Sequence, residues 1–116
     1  MIHMPCHEFA IYKKKPNYFT NFSRIYLKNK IIVKMNDEII NNISFSNVET
    51  YFNYYREKCK KYDLNLFGIT IIPPTSLEKF LKVIKSHNKN NEAMKKLIKL
   101  TEEAIKGNNY IIHYGI

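Results

Sequence analysis

The sequence is poor in the residues from which several kinds of functional site are built. It has three glycines and two cysteines in 116 residues. So few glycines leave no glycine-rich loop of the kind that wraps around a nucleotide phosphate. The two cysteines, Cys6 and Cys59, are too few for a disulfide framework, and we expect both to be thiols. These scarcities argue against a nucleotide-binding enzyme and against a disulfide-stabilised secreted protein.

Long apolar runs are missing as well. The longest has about five residues, whereas a membrane-spanning helix needs about 20. The basic cluster Lys13, Lys14 and Lys15 follows a short mixed segment, whereas a signal peptide carries its charges before its apolar stretch. A chain of this length normally builds one core. We therefore expect one cytoplasmic domain over residues 1–116 that has no contact with a membrane.

Acidic residues are fewer than basic ones. The chain has 19 Lys and Arg against 10 Asp and Glu, a formal net charge of +9. Such a charge attracts polyanions or acidic protein surfaces and accelerates encounter with them. The abundance of Lys, Asn, Ile and Tyr is also typical of AT-rich coding, which gives part of the charge a compositional explanation.

The first third of the chain is predicted to be mainly extended. Residues 7–13, HEFAIYK, alternate apolar and polar side chains, which predicts a half-buried strand. The segment KKPNYFTN follows as a loop, with Pro16 as a turn former. Residues 24–35, RIYLKNKIIVKM, fit either a β-hairpin turning at Asn29 or one continuous strand. Residues 36–43, NDEIINNI, fit a loop or a short strand.

A helix is predicted for residues 47–61. Ser46 and Glu49 have the spacing of a capping box, in which each side chain satisfies a backbone N–H at the start of the helix. Apolar residues then recur at helical spacing and would form one face: Val48, Tyr51, Phe52, Tyr55, Cys59 and Tyr62. On this interpretation Cys59 is a small core residue.

The segment FGITIIPPTSLEKF, residues 67–80, has the strongest local pattern. Its apolar part is β-branched and uncharged, which is typical of a strand covered on both faces. Pro73 and Pro74 end that strand, because proline cannot donate to a sheet. Thr75 and Glu78 have the spacing of a second capping box. It would begin helix 76–86, with these residues facing the core: Leu77, Phe80, Leu81 and Ile84.

A further helix is predicted for residues 91–106 and a last strand for residues 110–116. Gly107 is placed to take the left-handed position that ends the helix. The inward face of this helix is predicted to contain Met94, Leu97, Ile98, Thr101, Ala104 and Ile105. The element order is then β–β–β–α–β–α–α–β. It predicts an α+β fold in which a single-layer, mostly antiparallel sheet packs with about three helices.

Metal and carboxylate chemistry has little support in the sequence. His3, Cys6 and His7 are close together, but they supply at most three zinc ligands at a chain terminus. No second Cys/His pair follows, so we interpret them as the start of the first strand. Glu102 and Glu103 are adjacent on a helix and therefore point in different directions. We expect no metal site, no cofactor and no paired catalytic carboxylates.

A cysteine–histidine nucleophile would need a thiolate beside an oriented imidazole. Cys6 or Cys59 with His113 or His87 are the pairs to consider. Neither cysteine lies in a glycine-rich turn or at the start of a predicted helix, where its pKa would be lowered. His113 lies in an apolar strand, and we interpret it as a hydrogen-bonded structural histidine. The chain is therefore not expected to be an enzyme.

A basic, aromatic surface is the better prospect for function. On the predicted helix 47–61, Tyr54, Lys58 and Lys61 fall on one outer strip, opposite the apolar face. Lys13, Lys14 and Lys15 form a second basic patch. An exposed aromatic ring among cations can contact a protein partner, or stack on a nucleic-acid base while the cations contact phosphates.

The C-terminal half resembles small immunity proteins of bacterial polymorphic-toxin systems, including contact-dependent growth inhibition. The residues concerned are the apolar strand GITIIPP, the helix SLEKFL and a last helix that leads into a strand ending HYGI, within residues 67–116. The resemblance implies a small cytosolic protein that neutralises a cognate toxin by stoichiometric binding, without catalysis. Since the chain is basic, we expect an acidic surface on that toxin. The alternative is a small nucleic-acid-binding or phage-type regulatory protein.

Overall fold

The computed structural model describes residues 5–87 and 90–116 and has the predicted α+β class. Six strands form one antiparallel sheet in the order β2-β1-β6-β5-β3-β4, and four α-helices accompany them within these residues. The strands are β1 Cys6–Tyr12, β2 Val33–Asn36, β3 Glu49–Phe52, β4 Lys60–Tyr62, β5 Ile69–Ile72 and β6 Tyr110–Tyr114. The helices are α1 Phe22–Lys28, α2 Asp37–Asn41, α3 Leu77–Ser86 and α4 Glu92–Lys106.

The two central strands, β5 and β6, are covered on both faces. Ile71 and Ile72 point to opposite faces of β5 and both are 0% exposed, as are Ile111 and Ile112 on β6. This confirms the prediction that the strand before Pro73 is buried on both sides. Residues from both faces therefore anchor other parts of the chain to the sheet.

One face of the sheet packs against α3 and α4. Phe9 of β1 lies 6.1 Å from Phe80 of α3 between ring centroids. Both belong to one core cluster with Ile72, Ile111 and Leu97. The apolar stripes of the two helices supply seven of the 17 buried residues of this cluster, as their sequence spacing predicts.

The opposite face is covered by residues 13–28, which comprise the loop after β1 together with helix α1. The Tyr26 hydroxyl donates a 2.6 Å hydrogen bond to Glu8 on β1. The Tyr114 hydroxyl on β6 donates a 2.7 Å bond to the Phe22 carbonyl, and the two tyrosine rings meet edge to face. Pro16, within the same segment, is buried. The 13–28 segment is thus fixed to the sheet through α1.

Two short helices replace predicted extended structure. α1 begins where Asn21 accepts a hydrogen bond from the Arg24 N–H. It ends where the Asn29 side chain donates to the Ile25 carbonyl. Within residues 24–35 the strand β2 begins only at Val33, so neither the hairpin nor the continuous strand is correct. α2 replaces the loop or short strand expected at 36–43, because Asn36 caps it and two acidic residues favour its first turn.

The predicted helix over residues 47–61 is wrong. These residues form β3, a 3₁₀ turn at Glu57–Cys59 and the start of β4. Tyr51 pairs with Ile71 of β5 on one side and with Lys60 of β4 on the other. A run of β-branched and aromatic residues favours a strand, and here that preference prevails over the helical spacing of the tyrosines. Cys59 is therefore half-buried in a turn and lies on no helical face.

The last two helices match their predicted ranges closely, but their ends differ in detail. Thr75 lies in a 3₁₀ turn, and Ser76 takes the N-cap position of α3 without a side-chain bond, so the capping box predicted from Thr75 and Glu78 does not form. At the end of α4, Gly107 has φ −89°, and Asn108 takes the left-handed conformation with φ 53°. Asparagine tolerates that conformation well. The buried face of α4 consists of Met94, Leu97, Leu100, Thr101 and Ala104, and Leu100 was not predicted.

Gly115 provides a test of how the chain end packs. A methyl group added there would lie 2.5 Å from the Leu66 carbonyl oxygen, a backbone atom that also accepts from the Ile116 N–H. We expect Gly115→Ala to lower the free energy of unfolding by about 1–2 kcal/mol through overpacking. Urea denaturation measures this change.

Gly107→Ala is the matched control. Its added methyl group would meet the Asn109 side-chain amide, which can move aside, so we expect a change within about 0.5 kcal/mol. Equal effects of the two substitutions would contradict the close approach of Gly115 to Leu66.

Candidate functional site

An exposed aromatic surface forms where two loops meet. We define it as Tyr18 and Phe19, from the loop after β1, with Tyr54 and Arg56, from the loop after β3. The Tyr18 and Tyr54 rings are stacked, with centroids 6.3 Å apart. The Arg56 guanidinium lies 4.7 Å from the Tyr18 centroid and 5.4 Å from that of Tyr54. Cation–π contacts of this kind contribute about 0.5–1 kcal/mol each at exposed sites, enough to orient the side chains.

An open groove of about 700 Å³ adjoins this surface. Its lining includes Tyr18 and Phe19, the α1 residue Leu27, and Ile69 and Tyr114 on the sheet. Phe19 is 87% exposed and Leu27 is 81% exposed. Several large apolar side chains are therefore presented to solvent around one concave space, an arrangement that marks interaction sites in many proteins.

Half-buried tyrosines lie next to the surface in the fold. The Tyr55 ring contacts that of Tyr51 at 4.6 Å and that of Tyr110 at 5.5 Å between centroids. Burial, together with a hydrogen bond to Tyr55, raises the pKa of Tyr110 to about 12. Burial likewise raises the pKa of Tyr114. Tyr110 and Tyr114 therefore remain neutral at physiological pH and act as an apolar, hydrogen-bonding platform.

The structure brings together only part of the predicted site. The Lys15 ammonium lies 5.8 Å from the centroid of Tyr55, the neighbour of Tyr54, so the Lys13–Lys15 patch adjoins the aromatic surface. Lys58 is exposed in the 3₁₀ turn, and Lys61 of β4 pairs with Thr50 of β3. Alternation along β4 turns Lys61 away from the face of Tyr51 and Lys60. Lys61 therefore lies apart from the aromatic surface, and the helical strip that joined Tyr54, Lys58 and Lys61 does not exist.

Sequence reasoning missed Tyr18, Phe19 and Arg56. Two consecutive aromatic residues in a predicted polar loop were a usable signal, since a loop has no core in which to bury them. Arg56 had no comparable signal, because it was assigned to a helix.

A chain of buried polar side chains lies on the core face of the sheet. His113 Nε2 is 2.8 Å from His7 Nδ1, and His7 Nε2 is 2.7 Å from the Asp37 carboxylate. On its other side, His113 Nδ1 is 3.0 Å from the Thr70 hydroxyl. One proton arrangement satisfies every group with both rings neutral: Thr70 donates to His113, His113 donates to His7 and His7 donates to Asp37. Both rings are 0% exposed.

This histidine chain gives each nitrogen of His7 and His113 a hydrogen-bond partner. The residues 5–87 and 90–116 contain no group of three His, Cys, Asp or Glu side chains placed to hold a metal ion. His3 lies outside the described residues. Both nitrogens of His113 contact His7 and Thr70, and His87 Nδ1 lies 3.0 Å from the Val83 carbonyl. His113 is thus the hydrogen-bonded histidine that its sequence context predicts.

No family model, no curated protein and no solved structure matches this chain. In the part of the chain that the structure describes, no helix has the length and apolar character to cross a membrane. The functional hypothesis therefore depends on the geometry of the aromatic surface.

The buried His113 predicts a pH dependence of stability. Burial, together with the nearby His7, lowers its pKa from 6.5 to about 3. Between these values the unfolded chain binds a proton that the folded chain does not, so the free energy of unfolding falls as the pH falls. We expect a loss of about 2 kcal/mol between pH 7 and pH 5, measured by urea denaturation.

His113→Gln should remove most of this dependence, whereas His87→Gln, at an exposed position, should retain it. His7 and Asp37, the other ionisable groups of the buried hydrogen-bonded chain, are unchanged in both variants. An undiminished pH dependence in His113→Gln would contradict a neutral buried His113.

Proposed function

We propose that this protein is a non-enzymatic, cytoplasmic immunity protein that neutralises a cognate bacterial toxin by stoichiometric binding. The observation that carries the proposal is the aromatic surface. Its aromatic and cationic side chains stack on one another at the protein surface, beside an open groove. The resemblance of residues 67–116 to immunity proteins supports the same class of function.

The composition of the surface suits protein recognition. Tyrosine and arginine are enriched among the residues that contribute most binding energy at protein interfaces. Stacking of Tyr18 on Tyr54 beneath Arg56 restricts these side chains before binding. A restricted side chain loses less entropy when a partner binds, which favours tight association. The adjoining groove offers space for an apolar side chain of the toxin.

The charge distribution favours an acidic partner. Arg56 and Lys15 contribute positive charge at the aromatic surface, next to Lys13 and Lys14 in the same loop. Lys60 differs, because Glu57 at 2.8 Å and Glu49 at 3.4 Å neutralise it within the protein. Complementary charge accelerates association and excludes partners of the same sign.

Nucleic acid remains the second candidate, since exposed tyrosines with nearby cations can stack on bases. However, the Tyr18 and Tyr54 rings contact each other, and Arg56 lies over both. Much of the ring surface that a base would need is therefore already occupied. This arrangement favours a protein partner.

The product of the neighbouring gene is the partner to test. We expect isothermal titration calorimetry to give a 1:1 complex with a Kd on the order of nanomolar or tighter, as for other tight inhibitory complexes. Tyr18→Ala and Arg56→Ala should each weaken binding by about tenfold or more, because they remove central contacts. Tyr62→Ala is the control, since Tyr62 is 59% exposed but lies on the edge strand β4.

Two results would overturn this proposal. One is the absence of any complex with the neighbouring gene product. The other is binding of single-stranded oligonucleotides with an affinity that falls steeply with salt, by a log–log slope of about −0.7 per phosphate contact, and that depends on Tyr18 and Arg56.

A further inference from the structure

A second groove lies between α4 and the segment that leads into edge strand β2. Two adjoining cavities, of about 490 and 350 Å³, share the lining residues Lys30, Ile31, Leu100 and Glu103. We call this continuous space the lysine groove. Its size is in the range of sites that receive several side chains of a ligand.

The rim of the lysine groove is strongly basic. Its described lining includes one carboxylate, Glu103, and the lysines Lys13, Lys30, Lys96, Lys99 and Lys106. These lysines come from three separate parts of the chain, and the fold brings them to one place. Like charges gathered around a concave surface create a positive potential that attracts an anionic partner.

The floor of the lysine groove is aliphatic. It includes Ile11 at one end and Ile32 at the other, with Ile31 and Leu100 shared between the two cavities. Ile31 is 62% exposed, so a partner that covered it would remove apolar surface from water. A floor of this kind needs an apolar ligand group, in addition to the anionic groups that the rim attracts.

These two properties select the chemistry of the occupant. No aromatic ring is among the described residues that line the lysine groove, so it lacks the stacking platforms on which single-stranded nucleic acid depends. A short amphipathic segment with both acidic and aliphatic side chains matches the rim and the floor together. Recognition of amphipathic segments in apolar grooves is a common binding mode.

We propose that the lysine groove binds a short acidic, amphipathic segment of a protein. The site is separate from the aromatic surface assigned above to the toxin, and its residues differ from those that line the open groove beside that surface. Lys13 lines the lysine groove and Lys15, two residues further on, contacts Tyr55 next to the aromatic surface. One partner can therefore contact both sites, although neither site requires the other.

The probe is a synthetic 12-residue peptide of alternating Glu-Glu and Leu-Leu pairs, titrated into the full-length protein labelled with ¹⁵N. We expect saturable amide shifts at Lys30–Val33 and at Lys96–Glu103. Lys96→Glu with Lys99→Glu should weaken binding by about tenfold or more, because two attractions become repulsions. Lys79→Glu with Lys82→Glu on α3 is the matched control, since it changes the net charge equally outside the groove.

The apolar contribution has its own matched pair. Ile31→Ser should weaken peptide binding several-fold, whereas Leu27→Ser, at a still more exposed position in the groove beside the aromatic surface, should leave it unchanged. A peptide with Ser in place of Leu should bind Ile31→Ser and the unmodified protein equally.

Three results would overturn the proposal: no saturable binding, equal weakening by the two double lysine variants, or tighter binding of a 12-nucleotide oligothymidine at the same residues. The last result would assign the groove to nucleic acid instead. None of these results depends on Tyr18 or Arg56, so they are distinguishable from failure of toxin binding.

Discussion

Burial of β5 and β6 on both faces is the constraint on which the rest of the structure depends. Ile71, Ile72, Ile111 and Ile112 are all fully buried, and each contributes about 1.5–3 kcal/mol when removed from water. A strand pair of this kind needs a layer on each side. α3 and α4 supply one layer, and the 13–28 segment supplies the other.

The second layer connects the core to the candidate functional surface. Because the 13–28 segment is held to the sheet by Tyr26 and Tyr114, it presents Tyr18 and Phe19 at a fixed place above β5 and β6. The contacts among Tyr18, Tyr54 and Arg56 are individually weak, at about 1 kcal/mol or less each. They orient side chains that the buried strands have already brought together.

Elements with strong local signals were predictable from the sequence. The uncharged β-branched run ending at two prolines identified β5, and apolar residues at helical spacing identified α3 and α4. In residues 47–61 the tyrosine spacing matched a helix by chance, and pairing with β5 decided the outcome in favour of β3. The strand pairing that decides such a segment is not visible in the segment itself.

The candidate site was less predictable than the fold, because it depends on contacts between distant parts of the chain. Tyr54 and the Lys13–Lys15 patch were identified separately, but their proximity results from the packing of residues 13–28 on the sheet. The lysine groove likewise combines residues from the ends of β1 and α4 with the segment before β2. The central claim is that a protein partner binds the aromatic surface. Hydrogen–deuterium exchange of the complex with the neighbouring gene product tests it most directly. The account predicts that the complex protects amides of residues 17–27 together with those of residues 53–56. Protection confined to other parts of the chain, with both segments exchanging as in the free protein, would contradict it.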